Sequence, residues 1–202
     1  MDQGALALTI SPAMLQDKAE ISRLASIFKA EGVSSFLEIG SNHGGSLWTL
    51  GQVLPAGGRV VAVDIPEKGE VFEMRKASLL EVAADLRVHP GLDVHVIYGD
   101  STHPDTLAKV ELLGFSEGMF DAVFIDADHS LPSVTKDWEN YGRLAKKLVA
   151  FHDIAWWREL TFTGKGIEVP LLWAGLKERY RHEEIKLCPT GRNNGIGVLW
   201  VA

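Results

Sequence analysis

The chain holds a single cysteine, Cys188, in 202 residues. No intramolecular disulfide can form, so a fold held by its core in a reducing compartment, the cytoplasm, is expected. The opening segment MDQGALALTISPAMLQDK has no basic stretch leading into an apolar run, so no secretory signal is expected. No apolar run approaches the roughly 18 residues of a membrane span. Positive charge is also scarce: 20 basic residues face 27 acidic ones, for a formal net charge of -7. Acidic neighbours dilute even the basic stretch at Arg179, Arg181 and Lys186, which argues against nucleic acid as a partner. Internal repeats, low-complexity tracts and a linker are missing too. So are a P-loop lysine motif and a Tyr-x-x-x-Lys hydride-transfer pair. What is plentiful is core material, at 46% hydrophobic residues. That length and composition suit one α/β domain over residues 1–202.

Short apolar runs alternate with helical patterns. SSFLEIG, GRVVAVD, LDVHVIYGD, FDAVFIDAD and KKLVAFHD read as strands. GGSLWTLGQVL, EVFEMRKASLLEVAADL, the segment after Pro104 and the one ending near Leu144 read as helices. EVPLLWAGLKERY is a further helix, and EEIKLC and NGIGVLWVA form a closing hairpin through PTGRNN. The pattern predicts an α/β fold: a mostly parallel seven-stranded sheet, helices on both faces, and an antiparallel C-terminal hairpin.

Ligands of such sheets bind beyond the carboxyl ends of the strands. Glu38, Asp64, Asp100, Asp126 and the pair His152–Asp153 each close a successive strand. Any one of these carboxylates has an ordinary reading as a helix cap. Five in succession point to a polar cleft. Glu38, Gly40 and Gly44 form E-x-G-x-x-x-G around Ser41 and Asn42, a turn in which backbone can approach a ligand closely. Asp64 follows at the next strand end, where an acid accepts hydrogen bonds from ribose hydroxyls, as NAD or an adenosyl cofactor requires. Asp100 and Ser101 stand where an adenine edge would be reached.

The order EIGSNHGGS, VVAVD, YGDS, FDAVFIDADHS, FHD resembles class I S-adenosylmethionine-dependent methyltransferases, which have a Rossmann-like fold. Among these the chain is most similar to metal-dependent O-methyltransferases, including the cephalosporin hydroxylase/methyltransferase-associated group and the sugar and macrolide O-methyltransferases. The likeness runs from about Phe36 to Val201. It implies that Glu38, Gly40, Ser41, Asn42 and Gly44 line the cofactor, that Ser46 holds its methionine carboxylate, and that Asp64 holds its ribose. Asp100 and Ser101 would then face its adenine. Asn42 stands where many methyltransferases carry a middle glycine.

The resemblance also implies a divalent cation, Mg²⁺ or Mn²⁺, held by Asp126, His152 and Asp153. Such an ion lowers the pKa of an acceptor hydroxyl. The family pair is acidic or Asp-Asn, so His152 is a departure that softens the donor set. His129 resembles a general base, and its ordinary pKa of about 6.5 suits that role. Its plain alternative is a helix-start residue. The implied partner is a small hydroxylated acceptor, a sugar or natural product, and the family allows a homo-oligomer. Two rival readings stand at this point: an NAD-dependent oxidoreductase, and a binding protein that kept the fold without the chemistry.

Overall fold

The structure, a computed structural model, describes residues 16–65, 70–115, 119–155, 166–187 and 195–202. Trp156, Trp157, Cys188, the PTGRNN turn and most of TFTGKG lie outside the described residues.

Five strands form the parallel part of the sheet: β1 (Ser35–Ile39), β2 (Arg59–Asp64), β3 (Asp93–Tyr98), β4 (Phe120–Ile125) and β5 (Ala145–His152). Two more, β6 (Arg181–Ile185) and β7 (Ile196–Trp200), close it antiparallel. The spatial order is β3-β2-β1-β4-β5-β7-β6, with seven strands in one sheet. Every residue of β1, β2 and β4 is buried, as expected of strands covered on both faces.

Alternation along the strands divides the core in two. Phe36, Val60, Ala62, Phe124 and Ala150 pack against α1 (Lys18–Ala30), α2 (Gly45–Gly51) and α3 (Glu70–Val88). Leu37, Val61, Val63, Val123 and Phe151 pack against α4 (Pro104–Phe115), α5 (Leu131–Tyr141) and α6 (Val169–Leu176). Among the described residues, no helix is long and apolar enough to cross a membrane.

Three details depart from the sequence pattern. Helix α1 was not among the expected elements. Asp17 starts it by accepting hydrogen bonds from the Ala19 and Glu20 amides, at 2.8 and 3.2 Å. Ile21, Leu24, Ala25 and Phe28 then form its buried stripe. Helix α6 ends at Leu176 instead of running to Tyr180, whose ring packs edge-on against Trp138 at 5.8 Å between centroids. Strand β6 begins early, at Arg181, because that residue pairs with Trp200 in register and lays its guanidinium over the indole at 4.3 Å.

Candidate active site

The strand order puts the ends of β1 and β4 side by side, and the two halves of the polar cleft meet there. Gly40 follows β1 with φ of +92°, and its amide donates to the Val63 carbonyl at 2.8 Å. A Cβ on Gly40 would lie 2.2 Å from the Asp126 carbonyl oxygen. Only glycine fits both the backbone conformation and that approach. In the other direction, the Asp126 amide donates to the Ile39 carbonyl at 2.8 Å. The glycine turn and the Asp126 loop are therefore locked together.

On the β1–β2 side, Glu38 is fully buried. Burial pushes its carboxyl up to about 8, against the Ser46 and Ser41 hydroxyls, which favour the charged form. Among the described residues, neither Glu38 oxygen makes a well-aligned hydrogen bond, nor do Ser41 Oγ and Asn42 Oδ1. Such a concentration of poorly paired buried polar atoms is costly unless a ligand satisfies them. Asn42 has φ of +47°, and its amide donates to the Asp64 carboxylate, as does that of Ile65. Burial raises the pKa of Asp64; these amides and the charge of Arg75 oppose that shift. Gly44, at φ of +82°, starts the short helix α2, whose first turn carries the buried Ser46. These residues fit an adenosyl cofactor, since they offer poorly paired acceptors and hydroxyls around a turn whose Gly40 carries no side chain.

Asp100 is exposed, and its Oδ1 builds a turn by accepting from the Thr102 amide and hydroxyl at 2.8 and 2.7 Å. Ser101 is fixed from α5: the Tyr141 hydroxyl donates to its carbonyl at 2.7 Å and the Asn140 amide at 3.4 Å.

On the β4–β5 side four side chains converge. Atoms of Asp126, His152 and Asp153 able to hold a metal lie within 4.8 Å of one another. His152 Nδ1 is 3.1 Å from Asp126 Oδ1 and 3.3 Å from Asp153 Oδ1. His129 bridges the same two carboxylates, with Nδ1 2.9 Å from Asp153 Oδ2 and Nε2 3.3 Å from Asp126 Oδ1. Burial alone would raise the pKa of Asp126, but the two imidazoles hold it well below the usual carboxylate range. Burial would lower both histidines, and the two carboxylates overcome it and push them up. Asp153 adopts φ of +62°, a left-handed conformation that aspartate tolerates better than most residues. An unusual backbone under a buried functional group is typical of strained sites.

Three polar residues at the cleft were not singled out from the sequence. Gln16, just ahead of α1, donates from Nε2 to Asp126 Oδ2 at 2.5 Å. Glu168 clamps the His129 loop: its Oε2 accepts from the Leu131 amide at 2.7 Å, and its own amide donates to the His129 carbonyl at 2.8 Å. Asp137, on α5, is fully buried, and burial pushes it up to about 7 despite the Ser101 hydroxyl beside it. None of the three has a local sequence signature, because each acts on a residue far away in the chain.

A parallel sheet with a glycine turn after its first strand, an acid after its second and a polar cluster across the seam defines an α/β enzyme that works on a nucleotide-bearing cofactor. More particularly, the chain belongs to the family described as the methyltransferase domain, which matches residues 37–154. That membership sets aside the oxidoreductase reading.

No curated protein matches the chain. Its fold is shared with the O-methyltransferase TomG from Streptomyces achromogenes, involved in tomaymycin synthesis and solved with S-adenosylmethionine. That pair has a TM-score of 0.67 and 20% identity, over 95% of this chain and 83% of that one. An O-methyltransferase from Bacillus cereus, solved with S-adenosylhomocysteine, gives a TM-score of 0.65 and 20% identity over 98% and 84% of the two chains. The Podospora anserina methyltransferase PaMTH1, also solved with S-adenosylhomocysteine, gives 0.59 and 17% over 93% and 80%.

Proposed function

We propose that this chain, as one domain, is an S-adenosylmethionine-dependent O-methyltransferase acting on a hydroxyl of a small molecule with the help of a divalent metal. The observation that carries this reading is the convergence of Asp126, His152 and Asp153 at a seam that Gly40 shares with the cofactor loop. TomG and the Bacillus cereus enzyme, both O-methyltransferases with this fold, support it.

Glu38, Ser41, Asn42 and Ser46 would hold the amino-acid end of the cofactor, and Asp64 its ribose. When bound, the cofactor would supply an electrophilic methyl group, and an ion held by Asp126, His152 and Asp153 would supply acidity to a hydroxyl beside it. The remaining work falls to the chain. Asp126, His152 and Asp153 fix where the hydroxyl sits. His129 is the base. Two carboxylates favour its charged form. With those carboxylates holding an ion that pull would weaken, and Nε2 would accept the hydroxyl proton while Nδ1 stays anchored on Asp153. Glu168 keeps the His129 loop from drifting.

The test has two arms. Calorimetry should show S-adenosylhomocysteine binding and NAD failing to bind. Turnover of a panel of hydroxylated acceptors should stop in EDTA and return with a divalent ion. Full turnover in chelator would remove the metal from the reading. Cofactor binding without turnover of any acceptor would favour a binding protein that kept the fold.

A further inference from the structure

We infer that the cluster at the ends of β4 and β5 is a mixed nitrogen–oxygen site that selects a first-row transition ion over Mg²⁺, with His152 as the discriminating ligand. This rests on the metal-assisted reading above and adds the identity of the ion class.

The donors present are two carboxylates and an imidazole. His152 Nδ1 sits 3.1 Å from Asp126 Oδ1 and 3.3 Å from Asp153 Oδ1. Donors at about 2.1 Å from one ion and at right angles to each other are about 3 Å apart, so these spacings suit a shared ion. Spacing does not choose between Mg²⁺ and a transition ion. Donor chemistry does. Mg²⁺ keeps most of its water and takes one or two carboxylate oxygens. Imidazole nitrogen is a borderline donor that Mn²⁺, Fe²⁺, Co²⁺ and Zn²⁺ accept far more readily.

A purely structural role explains His152 poorly. The residue is only 6% exposed, and its Nδ1 is held between oxygens of two different carboxylates, where an ion shared with them would be reached. Asp153, 3% exposed, leaves Oδ1 without a hydrogen bond among the described residues although it faces that same ring nitrogen. Buried ion clusters are weak stabilisers, so stability does not account for two carboxylates and two imidazoles at one place. His129 approaches the same carboxylates, with Nδ1 2.9 Å from Asp153 Oδ2 and Nε2 3.3 Å from Asp126 Oδ1, so the nitrogen coupling described below is assigned to His152 by its persistence in His129→Ala.

The experiment uses the whole chain, stripped by chelator and reloaded with Co²⁺ as a spectroscopic probe. We expect visible ligand-field bands, and a roughly hundredfold excess of Mg²⁺ should leave them in place. In His152→Asp the bands should shift, and Mg²⁺ should displace Co²⁺ at least about tenfold more readily. Pulsed EPR of the Mn²⁺-loaded parent should show coupling to an imidazole nitrogen, a readout that survives if His152→Asp does not fold. Displacement of Co²⁺ by equimolar Mg²⁺, or absence of nitrogen coupling in the parent, overturns the inference. Calorimetry with S-adenosylhomocysteine on the same stripped protein separates the two failures. Cofactor binding alongside Mg²⁺ preference sinks only the ion selectivity, whereas loss of cofactor binding sinks the methyltransferase reading itself.

Discussion

Replacing Gly40 with alanine tests whether the glycine turn after β1 and the polar cluster at Asp126 form one mechanical unit. The new Cβ would stand 2.2 Å from the Asp126 carbonyl oxygen, 2.5 Å from its carbon and 2.7 Å from Ala127 Cα. All three are backbone atoms, so no side chain can swing aside. Ordinary contact needs about 3.4 Å or more, so one strand end must retreat by roughly an ångström. Retreat breaks the Gly40–Val63 or the Asp126–Ile39 hydrogen bond, each worth about 0.5–1.5 kcal/mol. Holding a non-glycine residue at φ of +92° adds about 1–2 kcal/mol. The sum is about 1.5–3.5 kcal/mol, or a Tm loss of about 3–14 °C for a chain of this size. Gly57→Ala is the control. Gly57 also has positive φ, +76°, but among the described residues nothing lies within 4 Å of its Cβ position, so only the conformational part should appear. Thermal unfolding of both variants measures the difference. Titrations of Gly40→Ala with S-adenosylhomocysteine and with Co²⁺ should both weaken. Equal Tm losses in the two variants would refute the contact argument, and an intact Co²⁺ site in Gly40→Ala would refute the mechanical coupling.

Three further outcomes are expected. Asp64→Ala should weaken S-adenosylhomocysteine binding by about 1.5–3 kcal/mol, the scale of charge-assisted hydrogen bonds; unchanged affinity in calorimetry would remove Asp64 from the ribose site. His129→Ala should lower kcat by about 10²–10⁴-fold with cofactor affinity kept, and a parental kcat would return His129 to a helix-start role. Asp137 carries the sign of its own pH dependence. Its folded pKa is raised to about 7, so the folded state binds more protons than the unfolded one between about pH 4 and that value. Its destabilising effect therefore grows across that window as pH rises and is complete above it. Asp137→Asn should stabilise by roughly 1–3 kcal/mol at about pH 8 and by little near pH 4, read as Tm against pH; a pH-independent difference would contradict the burial argument.

Strand alternation and strand-end acids were legible because both are local patterns. Apolar runs such as FLEI and AVFI need only their own composition to declare a doubly covered strand. Asp126, His152 and Asp153 come together because β4 and β5 are parallel neighbours, which the alternation already implies. Other features are set by pairings that no window of sequence contains. Helix α1 shows a cap and a buried stripe, yet its place on the sheet depends on partners such as Glu183, which receives Arg23 in two hydrogen bonds of 2.8 and 3.0 Å. Gln16 looks like any polar residue before a helix until Asp126, 110 positions away, is seen against it. Asp100 shows the opposite case. Its position suggested the adenine edge, and the structure shows at least one of its oxygens engaged in turn building with Thr102. The two roles look alike in sequence because a loop that ends a strand needs both.

The placement of β7 between β5 and β6 has a consequence for how the chain acquires its shape during synthesis. Strand β5 carries His152 and has β4 on one side from early on, but its other side waits for Ile196–Trp200. Until those residues emerge, β5 is an apolar edge with open backbone groups, the kind of edge that recruits neighbouring chains. Slow translation between β5 and β7 should therefore favour aggregation over assembly, and a holdase that shields strand edges should help most in that interval.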